Sequence, residues 1–179
     1  LEEFGPDIRA VFQKLYGDHS DLHAERREVY LKAIRKFIRV YGVNHSVIIS
    51  RSPGRVNLMG RHVDHRGGYA NYMAINREVI LVAGVREDDV IEIHNVDSDD
   101  FRPRSFSIGS ELSRLPWDEW MNVINSEKVL QIIQTTRGDW VNYFRASALR
   151  LQEKYRGRLL YGFNGVLAGS VPLAAGLSS

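Results

Sequence analysis

The stretch that decides the fold reads SPGRVNLMGRHVDHRGGYANYMAINRE and spans residues 52–78. Glycines interrupt it at positions 54, 60, 67 and 68. Five cationic or histidine side chains precede Gly67, and Asp64 is the acid among them. Such a segment is poor material for a hydrophobic core, because each of these side chains needs solvent or a polar ligand. The glycines indicate a backbone that bends and comes close to another group.

Two kinds of ligand fit this composition. His62, Asp64 and His65 form a cluster of residue types that bind metal ions. However, their spacing is not the i, i+4 pair of a helix, and the neighbouring arginines would repel a cation. A polyhydroxylated or anionic small molecule suits several donors and one carboxylate better. The residues therefore favour a small-molecule site, with a metal site as the alternative.

The flanking sequence alternates between helical and strand patterns. Apolar positions predict helices at residues 25–41, 127–133 and 140–155, and strands at 47–49, 79–85, 90–93 and 163–167. Gly42 is placed to end the first helix. The nearly continuous apolar run Val79–Val85 predicts a strand that is covered on both faces. Residues 1–23 carry no clear pattern, and residues 97–118 read as loop with short pieces. This order predicts an α+β or mixed α/β domain.

Composition excludes several function classes. A chain of 179 residues predicts one domain or most of one. The absence of cysteine excludes disulfides and thiolate metal sites. No apolar run is long enough to span a membrane, so no membrane partner is expected, and we expect a cytoplasmic protein. A net charge of +2 is too small to indicate nucleic-acid binding by itself.

The predicted helix at 25–41 has a basic face. Its members are Arg27, Lys32, Arg35, Lys36 and Arg39. We interpret this face as solvated, because no aromatic platform interleaves with the charges as in nucleic-acid sites. A nucleic-acid patch is the alternative.

The segment PGRVNLMGRHVDHRGG (53–68) resembles the first signature of the galactokinase branch of the GHMP small-molecule kinases, PGRVNLIGEHTDYNGG. Three further stretches follow in the family's order. MAINREVILVAGVREDDVIEI (73–93) resembles the next strands, DWVNYFRA (139–146) resembles the WxNYVxG helix start, and VPLAAGLSS (171–179) resembles the phosphate loop PxGxGLSSS. The resemblance covers about residues 37–179, with 97–138 matching poorly. Four matches in order make it specific.

The resemblance implies an α+β fold, the two-layer GHMP kinase N-terminal domain, which is similar to domain 2 of ribosomal protein S5. Its mixed sheet carries helices on one side. Residues 1–44 would be an N-terminal helical extension, and residues 45–179 the domain, truncated in the phosphate loop. The chain would then be the N-terminal half of a longer polypeptide. Its C-terminal domain would then be absent here, and that C-terminal half would be its partner.

The resemblance also implies an activity, the ATP-dependent phosphorylation of the anomeric hydroxyl of a galactose-like sugar, with ATP and Mg²⁺ as cofactors. Arg55 matches the family's arginine beside the sugar C1 hydroxyl. Its implied role is to keep a neighbouring carboxylate ionised and to offset charge on the transferring phosphoryl group.

Sugar binding is implied for the residues that follow. His62 and Asp64 match the last two members of the family's Glu-His-x-Asp run. The Asp64 carboxylate would accept two sugar hydroxyls, or else cap the turn at Gly67 and Gly68. The two glycines would let the backbone approach the ring.

Nucleotide binding is implied at two places. The phosphate loop, which favours anions at a helix N-terminus, is matched by Pro172, Gly176, Leu177, Ser178 and Ser179. Trp140 and Tyr143 match a pair near the family's adenine pocket, where an aromatic wall suits a base. Core packing is the alternative for both aromatic residues.

Two departures from the family's pattern bear on specificity. Arg61 replaces the sugar-binding glutamate, and Ala174 replaces a loop glycine. Because arginine pairs with carboxylates, Arg61 favours an acidic sugar such as a uronate, with Arg66 as a second partner. The alternative is that Arg61 turns outward and another acid replaces the lost contact.

The family's Mg²⁺ ligands and general-base aspartate would follow Ser179, so this chain would hold no metal ligand and would be inactive alone. Two rival functions stay open. One is a non-catalytic sugar and nucleotide sensor, and the other is a nucleic-acid-binding domain.

Overall fold

The computed structural model describes residues 5–60, 62–63, 66–112, 115, 119–155 and 161–172. The helices are α1 (Pro6–Tyr16), α2 (Ser20–Tyr41), α3 (Ile108–Leu112), α4 (Trp120–Ile124), α5 (Glu127–Thr135) and α6 (Asn142–Tyr155). The strands are β1 (Val47–Met59), β2 (Asn71–Val85), β3 (Val90–Asn95), β4 (Arg104–Ser107) and β5 (Phe163–Gly169). None of the helices in these ranges combines the length and the apolar composition needed to cross a bilayer.

The described strands form a five-stranded sheet in the order β1-β2-β5-β3-β4. Strands β3 and β4 pair antiparallel, with Ile91 opposite Phe106 and Ile93 opposite Arg104. Strands β2 and β3 are consecutive in the chain but are not neighbours, because β5 lies between them. Residues 86–89 therefore connect two strands that do not pair with each other. Helices with a mixed sheet confirm the predicted α+β class.

By contacts, the chain divides into two compact units. The first contains Leu1–Gly42, Ile49–Val82 and Leu167–Ser179, and the second contains Val43–Ile48 and Ala83–Val166. Each unit has its own apolar core. Buried core residues of the first unit include Phe12, Tyr30, Phe37, Ile80 and Val82, and those of the second include Ile91, Ile93, Val123, Val141 and Val166.

Helix α1 has no counterpart among the predicted elements. Pro6 stands in its first turn, and Gly17 ends it with a φ of 72°. Phe12 and Tyr16, one turn apart, bury one face, and their rings lie 5.3 Å apart between centroids. Phe12 also meets Tyr30 of α2 at 5.2 Å. The helix is thus held by aromatic packing on α2, because eleven residues are too few for a stable isolated helix.

Helix α2 confirms the predicted helix and its end. Gly42 stops it with a φ of 92°, and its amide donates to the carbonyl oxygen of Ile38. The helix begins at Ser20, earlier than predicted. Lys32, Arg35 and Arg39 are exposed, whereas Arg27 and Lys36 are half-buried, so the solvated-face interpretation holds for three of its five residues. Arg26 is different, since its side chain is buried.

All four predicted strands are present and longer than expected, and two of them differ by eight residues or more. Strand β1 runs through Pro53 to Met59, and β2 begins at Asn71 rather than at Val79. The expectation that both faces of 79–85 are covered is wrong. Residues 78, 80, 82 and 84 are buried, whereas 79, 81 and 83 are half-buried. The apolar side chains of Val79, Leu81 and Ala83 on the second face are therefore only partly covered.

Candidate functional site

The glycine-rich stretch begins on strand β1. Gly54 is buried, and a Cβ atom there would lie 3.1 Å from Cδ1 of Ile75 and 3.1 Å from Cγ2 of Val171. A larger residue there would require the side chains of Ile75 and Val171 to move by a few tenths of an ångström. Gly54 thus lies close to two side chains of the first unit, directly before the exposed Arg55.

Arg55 is exposed, and its guanidinium carbon lies 4.8 Å from the centroid of the Tyr72 ring. This is cation–π distance. Stacking uses the flat face of the guanidinium and leaves its N–H edges directed outward, where they can meet an anion. Tyr72 lies on β2 and was absent from the residues singled out in the sequence. No local pattern relates it to Arg55, since strand pairing brings the two together.

Of the connection between β1 and β2, the structure describes residues 60, 62–63 and 66–70, and these form a loop closed at its base, which we call the signature loop. Gly60 has a φ of 84°, and a Cβ atom there would lie 2.3 Å from the carbonyl oxygen of Tyr69. Farther along, the amides of Arg66 and Gly68 donate to the carbonyl oxygen of Val63 at 3.0 and 2.8 Å. The loop therefore returns on itself and carries His62, Gly67 and Gly68 together.

His62 is exposed and has a φ of 60°. Of the non-glycine residues that the structure describes, His62 is the one with a positive φ. This conformation costs about 1–2 kcal/mol for an L-residue. Backbone strain of this kind clusters at ligand-binding sites, because the surrounding structure must hold it in place. The strain supports the choice of His62 as a site residue.

The two glycines of the predicted pair differ in their surroundings. Gly67 has a φ of 79°, and a Cβ atom there would meet nothing within 4 Å. A Cβ atom on Gly68 would lie 2.9 Å from Cβ of Val63. Gly67 thus has open space for a ligand to approach, whereas Gly68 is needed for packing inside the loop.

We expect Gly60→Ala to lower the free energy of unfolding by about 2–4 kcal/mol. The new Cβ would carry the strain of a positive φ and also overlap the backbone of Tyr69. Gly67→Ala is the matched control, because it has nearly the same φ but open space, and we expect a loss of about 1–2 kcal/mol. Urea unfolding followed by circular dichroism measures both. Equal losses would show that the closed base of the signature loop contributes nothing.

Several predicted site residues lie outside the described residues. These are Arg61, Asp64, Gly176, Leu177, Ser178 and Ser179, together with His65 of the alternative metal cluster. Pro172 is described and exposed. It follows Val171, whose side chain packs at Gly54, so the entry to the predicted phosphate loop adjoins the strand that carries Arg55.

Trp140 lies in the second unit and is anchored there. Its indole N–H donates to the carbonyl oxygen of Arg102 at 3.1 Å. Its ring makes edge-on contacts with Phe101 and Phe144, each at 6.2 Å between centroids. The preceding residue, Asp139, binds Arg104 at 2.7 Å. Although partial burial raises the pKa of Asp139, the guanidinium of Arg104 and a backbone amide lower it overall. Trp140 is therefore half-buried and held by these contacts, rather than fully buried in the core.

Tyr143 is placed quite differently, since it is 74% exposed. It lines an open groove of about 760 Å³ on α6 with Ala146, Ser147, Arg150 and Leu151. The alternative of core packing is thus wrong for Tyr143, because the side chain points away from the apolar core. Its role at an adenine base stays a prediction, as does that of Trp140.

A buried ion cluster, formed by Tyr16, Arg26, Arg51 and Glu78, was not foreseen from the sequence. Glu78 is 0% exposed and accepts hydrogen bonds from the Tyr16 hydroxyl at 2.9 Å and from Nε of Arg51 at 3.0 Å. Nη1 of Arg26 lies 3.7 Å from Glu78 Oε1. Burial, together with bonds to Tyr30 and Glu78, raises the pKa of Tyr16, so its hydroxyl stays protonated.

The comparisons with known proteins agree on one family. Residues 35–85 match the family model described as the galactokinase galactose-binding signature. Galactokinase from Bos taurus is 29% identical over 152 residues, which cover 85% of this chain and 33% of the relative. Galactokinase from Candida parapsilosis is 30% identical over 165 residues, which cover 90% of this chain and 29% of the relative.

The comparison with solved structures also points to galactokinase. The crystal structure of Lactococcus lactis galactokinase complexed with galactose superposes with a TM-score of 0.58 and 25% identity, covering 81% of this chain and 32% of that one. The chain is thus galactokinase-like, and it corresponds to the N-terminal region of its relatives. It spans about a third of the length of the curated relatives it matches, rather than the half expected from its motifs.

Proposed function

We propose that the chain is the N-terminal part of an ATP-dependent sugar kinase that phosphorylates the anomeric hydroxyl of a galactose-like sugar. The observation that carries this proposal is the match of residues 35–85 to a galactose-binding signature. That range contains β1 with Arg55, the signature loop with His62, and β2.

The proposed role of Arg55 follows from its chemistry. A guanidinium stacked on Tyr72 is held in place before a substrate arrives. It would offset the negative charge on the transferring phosphoryl group and keep a neighbouring carboxylate ionised. Positioning and charge compensation are the main contributions that a protein makes to phosphoryl transfer.

The signature loop is the proposed sugar site. His62 and Asp64 would bind hydroxyls, and the open space at Gly67 would admit the ring close to the backbone. Gly68 supports the same loop from within, through its contact with Val63.

ATP and Mg²⁺ are the proposed cofactors, ATP as the phosphoryl donor and Mg²⁺ as the counter-charge for its phosphates. The triphosphate would lie on residues 172–179. Trp140 and Tyr143 are the proposed adenine residues, and the exposed ring of Tyr143 is free to stack on a base. The rest of the same polypeptide would supply the metal ligands and the general base, so we expect this chain alone to be inactive. Residues 1–44 are the proposed helical extension and 45–179 the kinase domain.

Arg61 is proposed to select an acidic sugar, because a guanidinium pairs with a carboxylate through two parallel hydrogen bonds. We expect the full-length polypeptide to prefer galacturonate or glucuronate over galactose, and Arg61→Glu to reduce kcat/KM for the acidic sugar about 10–100-fold. Arg39→Glu, on the exposed face of α2, makes the same change in charge and should leave the preference intact. Steady-state kinetics with ATP, Mg²⁺ and the three sugars measure both variants.

The outcomes separate the proposals. A clear preference of the wild-type protein for galactose would refute the acidic-sugar assignment but leave the sugar kinase standing. Binding of sugar and ATP without turnover on any sugar would instead support the non-catalytic sensor.

A further inference from the structure

Ser170 follows strand β5 and stands two residues before Pro172. Its hydroxyl accepts a hydrogen bond from Nη1 of Arg26 at 2.7 Å and another from the amide of Glu78 at 3.0 Å. It donates to the carbonyl oxygen of Glu78 at 3.1 Å. A serine hydroxyl has one donor and two acceptor positions, so all of them are used. The Ser170 amide adds a bond to the same carbonyl at 2.9 Å.

Arg26 reaches Ser170 from helix α2. Its side chain is 1% exposed, and Nη2 binds Glu25 at 2.5 Å while Nη1 lies near Glu78. Burying a guanidinium is costly, and apolar residues of similar size usually stabilise a core at least as well. Stability alone therefore accounts poorly for Arg26. What the guanidinium adds is a directed bond that fixes where Ser170 lies relative to α2.

Val171, the next residue, connects Ser170 to the candidate site. Val171 is 8% exposed, and its Cγ2 atom packs at Gly54, directly before Arg55. Residues 170 and 171 therefore bind α2 on one side and contact β1 on the other. Pro172, where the predicted phosphate loop begins, has its starting point set by these contacts.

We propose that Arg26 and Ser170 are positioning residues for nucleotide binding, which hold the entry to the phosphate loop in register with the strand that carries Arg55. The inference rests on the proposed function. It makes the N-terminal helix α2 part of the kinase machinery, although Arg26 and Ser170 act through the chain segment at 170–172 rather than by touching a substrate.

The test uses Ser170→Ala in the full-length polypeptide. Loss of the hydroxyl removes three of the four hydrogen bonds at Ser170 and leaves Arg26 without its partner at 2.7 Å, whereas the Ser170 amide keeps its bond to Glu78. We expect the KM and the Kd for ATP to rise about tenfold, the equivalent of one lost hydrogen bond, and the KM for the sugar to stay within about twofold. Ser170→Thr keeps the hydroxyl and should restore both ATP constants to within about threefold. Arg26→Lys, which cannot reproduce the guanidinium geometry, should behave like Ser170→Ala.

Tyr16→Phe is the matched control. It removes one hydroxyl from the buried ion cluster without touching Ser170, so it should lower the melting temperature while the ATP constants stay within about twofold of wild type. All assays are run where circular dichroism shows each variant folded.

If Ser170→Ala and Arg26→Lys bind ATP like wild type, the positioning role is overturned while the sugar kinase stands. If Tyr16→Phe weakens ATP binding equally, general destabilisation explains the effect and the inference also fails. A wild-type protein that neither binds ATP nor phosphorylates a sugar overturns the proposed function, and this inference with it.

Discussion

Arg55→Ala is expected to reduce kcat of the full-length polypeptide about 10²–10³-fold, with a much smaller change in the KM for the sugar. Loss of one preorganised charge at the reacting group has an effect of this size, about 3–4 kcal/mol of transition-state stabilisation. The guanidinium carbon lies 4.8 Å from the centroid of the Tyr72 ring, and this cation–π contact favours one position of the exposed side chain. Steady-state kinetics with ATP and the preferred sugar measure the effect.

Two further variants define what Arg55 contributes. Arg55→Lys keeps the charge but not the planar fork, and Tyr72→Leu removes the ring beneath the guanidinium, so both should give intermediate losses in kcat. Arg39→Ala, an exposed arginine on α2, is the matched control and should leave kcat unchanged. A kcat of Arg55→Ala within threefold of wild type would remove Arg55 from the catalytic machinery.

Glu78→Ala is expected to lower the free energy of unfolding by about 3–5 kcal/mol, the typical cost of breaking a buried ion pair from one side. Glu78 is 0% exposed and holds Tyr16 and Arg51, so its removal leaves buried donors without an acceptor. Urea unfolding followed by circular dichroism gives the free energy.

Glu153→Ala is the control for the loss of a glutamate in an ion pair. Glu153 binds Arg150 at 2.7 Å, but the arginine side chain is 57% exposed, so we expect a loss below about 1 kcal/mol. If Glu78→Ala and Glu153→Ala lower the free energy of unfolding by similar amounts, the buried ion cluster stabilises the fold no more than an exposed ion pair does.

Local signals determine how much of the fold the sequence predicts. The end of α2 at Gly42 and the position of β3 follow from patterns that lie within a few residues. Strand β1 is longer than predicted because Pro53 and Gly54 read as strand breakers. Yet β1 stands at an edge in the strand order, and edge strands tolerate proline because one side of the strand has no partner. The boundaries of helix α1, a proline and a glycine, are visible in the sequence. Its packing on Tyr30 of α2 is not, because no local pattern relates the two helices.

The candidate site divides in the same way. Arg55, His62, Gly67 and Gly68 belong to one short motif, and the structure places them on one strand and the loop that follows it, while their roles stay predictions. Tyr72 could not, since its contact with Arg55 depends on strand pairing. The bond between Arg26 and Ser170 joins residues 144 positions apart, and no local pattern encodes it.

The most direct test of the central claim is ³¹P nuclear magnetic resonance of the product formed by the full-length polypeptide with ATP, Mg²⁺ and a galactose-type sugar. We predict a new resonance of a phosphate ester that couples to the anomeric proton, formed in a one-to-one ratio with ADP. Release of inorganic phosphate alone, or an ester at another hydroxyl, would contradict the assignment of a sugar kinase acting at the anomeric position.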